Sequence, residues 1–192
     1  MRLPWWVLIP ATSSLLLWTL WIVVQSDHLE HAAREDERAN HVRAVQHALD
    51  HLERRPWSRE AALIAARGLS KLDQAELAER YYARRGTLNR EDQHIRAYGL
   101  VRANERQKAV DAYRALLRDY PSDALAMRRL AAVHLSRVEY DAARDLAIRM
   151  TGIPGSEVIG YTLLGSIEHS DREPQAAVNA WEQVFERDPE LE

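Results

Sequence analysis

Residues 106–121 read RQKAVDAYRALLRDYP, with Ala109, Tyr113, Leu116 and Pro121 at offsets 0, 4, 7 and 12. Sixty-eight residues further on, the same offsets hold Ala177, Trp181, Val184 and Pro189. Thirty-four residues on they hold Ala143, Ala147, Met150 and Gly155, with Pro154 one place early. Sixty-eight is twice 34, and a 34-residue period is that of antiparallel helix pairs stacked one on the next. Composition points the same way. The chain of 192 residues is 46% hydrophobic and 29% charged with a single Phe and seven Gly, which favours helices over sheet.

Tyr161, Leu164 and Gly165 precede Ala177, Trp181 and Pro189 at the spacing of a two-helix repeat. With the three phased units, this pattern resembles the tetratricopeptide repeat (TPR) family, in particular bacterial membrane-anchored members. The resemblance implies an all-α chain: a right-handed solenoid of helix pairs preceded by a single transmembrane helix and a helical stalk. The expected layout is an anchor over 1–26, a juxtamembrane stalk over 27–55 and a TPR-like domain over 56–192. The repeat units fall at about 57–89, 90–123, 124–157 and 158–191. The first is degenerate and about three residues short of 34. In the second, Arg96 stands where the family has Leu, and Ile95, Tyr98 and Val101 form an apolar line on the adjacent face. That line belongs either to the core of a shifted helix, the simpler assignment, or to the groove.

In the third and fourth units, Ala131, Ala143, Gly165 and Ala177 sit where two helices cross closely and only small side chains fit, and Trp181 is the expected buried plug. The family often closes with a further polar helix; without one, Val178 and Phe185 are expected to stay partly open.

No charged side chain occurs from Leu3 to Ser26, and 15 of the 20 residues from Trp5 to Val24 are apolar. As helix this spans ~30 Å, the thickness of a bilayer core. Trp5, Trp6, Trp18 and Trp21 lie where interfacial aromatic residues tend to lie. A cleaved signal peptide is the rival reading, and the apolar stretch exceeds the ~7 to 15 residues of a signal core. Arg2 leads the span and acidic residues trail it, so the bias of positive charge predicts a cytoplasmic N-terminus and an extracytoplasmic, periplasmic repeat domain.

Asp27 to Arg55 contains no Gly or Pro and is expected to continue as one helix. Val42, Val45, Leu49 and Leu52 form a narrow seam that either pairs with itself in a dimer or covers the first helix pair of the repeats. Five of the eight histidines fall in this segment: His28, His31, His41, His47 and His51. His47 and His51 are four apart and share a face, but no third ligand is evident from sequence. A solvated polar face is the plain reading, and no metal ligand is assigned.

The charge balance is 26 basic to 29 acidic residues with no basic stripe, which excludes nucleic acid as an expected partner. The chain has no cysteine, so disulfides and thiolate chemistry are excluded. No phosphate loop, nucleophile elbow or metalloprotease motif appears; neither enzymatic activity nor a cofactor is expected.

The family pattern implies a partner-binding groove lined by the first helix of each unit. His94, Tyr98, Arg102, Arg128, Leu135, Thr162 and His169 are its candidate contacts, with Glu91, Leu125, Ala132, Ile159 and Ser166 beside them. Arg102 and Arg128 are suited to a carboxylate on a peptide. The expected function is a membrane-tethered scaffold that binds a peptide or helix of a partner protein in the assembly or quality control of envelope complexes. The alternative is a self-associating subunit, a homo-oligomer paired through the stalk seam and the last repeat.

Overall fold

The computed structural model describes residues 28–188, and the expected membrane span, residues 5–24, lies outside them. Ten helices make up the described residues, and no strand occurs among them. They are α1 (28–37), α2 (His41–Arg54), α3 (Arg59–Lys71), α4 (Ala75–Arg85), α5 (Arg90–Arg102), α6 (Arg106–Asp119), α7 (Ala124–Leu135), α8 (Tyr140–Thr151), α9 (Glu157–Ser170) and α10 (Pro174–Arg187). None of them is long and apolar enough to cross a membrane. The chain divides into two compact units at Thr87 and Leu88, the first holding α1–α4 and the second α5–α10.

One backbone device recurs within every hairpin. Ala39, Asp73, Asn104, Val138 and Arg172 all take the left-handed conformation, with φ between 58 and 65°, at spacings of 34, 31, 34 and 34. In each case the next residue donates its N–H to the carbonyl five residues back: Asn40 to Glu35, Gln74 to Leu69, Glu105 to Leu100, Glu139 to His134 and Glu173 to Glu168, all at 2.9–3.0 Å. This bond satisfies a carbonyl left over at the end of the first helix and turns the chain back for the second. The 31-residue interval is the sequence's short first unit seen in the backbone.

The recurrence also corrects the reading of Asp27 to Arg55 as one continuous helix. The helix breaks at Arg38–Asn40, because Ala39 goes left-handed and the Asn40 side chain caps α2 by accepting from Arg43 N. The segment thus folds as a hairpin of the same type as those after it. Its seam is used internally: Val45 and Leu52 are buried, and Ala44, Ala48 and Leu52 share a core with Ala61, Ala62 and Ala65 of α3. Val42 alone of the seam is exposed.

In the second unit the expected small residues Ala131 and Ala143 are in the core, joined by Ala97, which the sequence pattern does not single out. Ala97, Ala109, Ala131 and Ala143 are fully buried, with Tyr113, Leu116, Met127 and Met150 packed around them. A methyl group added at Gly165 would collide with the Trp181 indole. One added at Gly160 would lie 2.7 Å from the backbone nitrogen of Thr151. Trp181 itself is half-buried rather than fully enclosed, because its ring lies across Gly165 and beside the exposed His169 at the edge of the last hairpin. Ile95, Tyr98 and Val101, the apolar line of the second repeat, do not form its core: Ile95 and Val101 are only half-buried. Their neighbours Ala97 and Leu100 take the buried places instead, while Tyr98 stays exposed and Val101 lines a cavity.

Side-chain caps set the starts of the first helices: Ser58 on α3, Asn89 on α5 and Asp123 on α7 each accept from a backbone N–H three residues on. Val138 is the costly member of the turn series, since a β-branched residue at φ 61° crowds its own carbonyl. It is exposed, so nothing is lost by replacing it. Val138→Asn is expected to raise the unfolding free energy by ~1 kcal/mol, measured by chemical denaturation.

Candidate interaction face

The first helices of the second unit are α5, α7 and α9, and their 34-residue register aligns equivalent side chains. Glu91, Leu125 and Ile159 form one row and Tyr98, Ala132 and Ser166 another, all exposed. Between these rows lies a third, His94, Arg128 and Thr162, in which His94 is half-buried and the other two are exposed.

His94 is fixed by its neighbour. Its Nε2 is 2.8 Å from Asp123 Oδ2, the same oxygen that accepts from Arg90 Nε at 2.6 Å. Asp123 Oδ1 meanwhile accepts from Ala126 N at 2.9 Å. One fully buried carboxylate therefore caps α7 and ties it to two residues of α5. Burial pushes the Asp123 carboxyl up, but the hydrogen bonds from Arg90, Ala126 N–H and His94 outweigh it and hold the group at about 2. His94 is thus an anchor of the face, with its ring turned to Asp123.

Beside this anchor, α5, α6 and α7 enclose a cavity of about 270 Å³ lined by Tyr98, Val101, Arg106, Tyr113, Arg129 and Val133 among others. Its polar groups are chiefly donors. The Tyr113 hydroxyl is buried and has no hydrogen-bond acceptor. Burial raises its pKa to about 12, with the Arg129 guanidinium pulling partly the other way, so the proton stays on. Arg129, itself only a donor, lies over the Tyr98 ring at 4.6 Å. The Arg106 guanidinium is turned to Asn104 Oδ1 and the Ser136 carbonyl. Apolar walls with one unsatisfied hydroxyl and a guanidinium among them suit a ligand that brings an acceptor on an apolar stem.

The remaining candidates spread along the same helices. Arg102 and Arg128 are exposed on α5 and α7. Leu135 is half-buried and packs against the core of the unit. On α9 the Thr162 hydroxyl donates to the Val158 carbonyl at 2.8 Å, and Ser166 and Ser170 repeat this one and two turns later. Those hydroxyls spend their protons on their own helix and offer lone pairs outward. His169 is exposed with its ring 6.0 Å from that of Trp181. Sequence reasoning missed Tyr113 and Arg129. Tyr113 sat in the periodic core pattern and Arg129 beside the more obvious Arg128, so only packing reveals that both reach the cavity.

A further link steadies α9. Arg144 on α8 donates to Glu168 at 2.7 and 3.0 Å and to Asp171 at 2.7 Å. Hydrogen bonds to these two carboxylates, Glu168 first, raise the pKa of its guanidinium.

No protein-family model matches the chain, and neither does any curated protein. Solved structures do. The crystal structure of MamA protein aligns with a TM-score of 0.73 at 17% identity, covering 86% of this chain and 92% of that one. MamA 41-end from Desulfovibrio magneticus RS-1 aligns with a TM-score of 0.72 at 13% identity, over 88% of this chain and 97% of that one. YrrB, a TPR protein with an unusual peptide-binding site, aligns with a TM-score of 0.68 at 12% identity, over 85% of this chain and 86% of that one. At such identities the likeness is one of fold: an all-α helical repeat.

The Asp123 anchor yields a pH prediction. Its folded pKa lies below the ordinary 3.8, so the stability it lends is present above about pH 4 and is lost as pH falls toward 2. Asp123→Asn is expected to cost ~2 kcal/mol at neutral pH. Denaturation curves of the two proteins should draw together between pH 4 and 2; a gap that stays constant would rule out the assigned role.

Proposed function

We propose that the chain is a membrane-tethered protein–protein interaction scaffold that binds a peptide segment or helix of a partner on the exposed face of α5, α7 and α9. The observation that carries this reading is the cavity beside Tyr98, where the buried Tyr113 hydroxyl has no acceptor and the Arg129 guanidinium stands in the lining over the Tyr98 ring. Exposed Tyr98, Leu125 and Ile159 supply apolar contact area along the same three helices. A rigid aromatic residue at the rim and charge-assisted donors within are features of peptide-recognition surfaces. The fold likeness to YrrB, which has a peptide-binding site, supports the same reading.

The tether rests on the sequence, where the uncharged segment from Leu3 to Ser26 has the length and flanking tryptophans of a membrane helix. Such an anchor raises the effective concentration of the repeats near other membrane proteins. A periplasmic repeat domain is what the charge bias around that segment favours, and a role in the assembly or quality control of envelope complexes rests on the resemblance to bacterial membrane-anchored TPR proteins.

Self-association is the second reading, favoured by exposed Val178 and Phe185, which lie seven apart on one face of α10. One experiment separates the two. A photo-crosslinking residue placed at position 98 or 185 of the full chain in its native membranes reports what each face touches. The scaffold reading expects a discrete heterologous adduct from position 98, reduced roughly tenfold by Arg129→Ala. An adduct from position 98 indifferent to Arg129, or a homodimer from position 185 alone, would contradict it.

A further inference from the structure

The first unit places its histidines in an arrangement that sequence spacing conceals. His28 lies on α1, while His47 and Asp50 lie one turn apart on α2. The hairpin at Ala39 folds these helices back to back, and His28, His47 and Asp50 each bring one ligand atom to within 4.8 Å of the others. The ring of His31, one turn along α1 from His28, has its centroid 5.5 Å from that of His47. His47 Nδ1 is buried and has no hydrogen-bond partner. A buried imidazole nitrogen without a partner carries a desolvation cost that a metal bond would offset.

From this convergence we propose that His28, His47 and Asp50 form a binding site for a divalent late transition-metal ion, with zinc the best fit, that clamps α1 to α2. Two imidazoles and one carboxylate are a donor set for zinc and its neighbours, whereas calcium and magnesium require oxygen ligands. Ligand bonds of ~2.0–2.2 Å in a tetrahedron put donor atoms roughly 3.3 Å apart. Drawing the three groups from 4.8 Å to that spacing takes only small side-chain rotations. The fourth place falls to water or to His31, whose ring centroid is 5.5 Å from that of His47. Ala32, adjacent to His31, is fully buried in the core that α1 shares with α2 and α3, so the backbone carrying the ligands is held in place. The ion would cross-link the two helices of the opening hairpin and stabilise it by its binding energy. The site lies within the first unit, and the residues of the interaction face belong to the second.

The test is calorimetric titration of the chelator-treated full chain with zinc chloride, alongside thermal melting. The site predicts one saturable equivalent and a rise in melting temperature with zinc that magnesium chloride does not reproduce. His28→Ala and His47→Ala, one on each helix, are each expected to weaken binding roughly a hundredfold or more, beyond the 10–100-fold that loss of an outer-shell partner costs. Asp50→Asn changes an exposed side chain and so carries the test even if a histidine variant fails to fold. Gln46→Ala, on the same helix outside the cluster, is expected to leave the titration unchanged. Absence of saturable heat, or zinc binding that survives His28→Ala and His47→Ala or Asp50→Asn, would overturn the site.

Discussion

Two helices of a hairpin approach closely only where a small side chain stands at their crossing, and this constraint sets the rest of the structure. Ala97, Ala131 and Gly165 recur at 34-residue intervals on the first helices of the second unit, and Ala109, Ala143 and Ala177 do so on the second helices. The five alanines are buried to 1% exposure or less. At Gly165 even a methyl group has no room beside Trp181. A packed interior has few voids and little slack, so the crossing residue fixes the separation of the helices and the side chains around it fill what remains. Because small residues recur at the same register, equivalent exposed residues fall into rows along α5, α7 and α9. The interaction face is a consequence of this regularity.

The same regularity explains how much of the fold could be read from the chain. The phase of the third and fourth repeats was legible because Ala, aromatic and Leu positions recur at a fixed period. The opening hairpin was not, since Ala39 and Asn40 lack the glycine or proline that announces a reversal. The left-handed turn is imposed at five positions by residues as different as Asn104 and Val138, so its cause is tertiary: each pair of helices must reverse at the same point to bring its crossing residues together. Local propensity gives way there, at greatest cost in Val138.

Side-chain roles were less legible than positions. His94 was placed on the groove row by periodicity, and it does occupy that row; its ring is nevertheless taken by Asp123, 29 residues away in sequence. Tyr113 carried a strong periodic signal as a core residue, which masked the donor that its hydroxyl presents to the cavity. For the histidines, sequence neighbours suggested His47 with His51. The structure instead groups His47 and Asp50 with His28 across a turn that sequence did not reveal. Each miss is a long-range contact, which a periodic pattern specifies only in bulk.

A direct test of the crossing constraint is equilibrium denaturation of the full chain carrying Ala131→Leu, at a site with no accessible surface and no polar role. Overpacking between closely crossed helices is expected to lower the unfolding free energy by ~1–3 kcal/mol. Unchanged or increased stability would mean that the helices can separate there at no cost, and the account of how the repeats are held in register would fail.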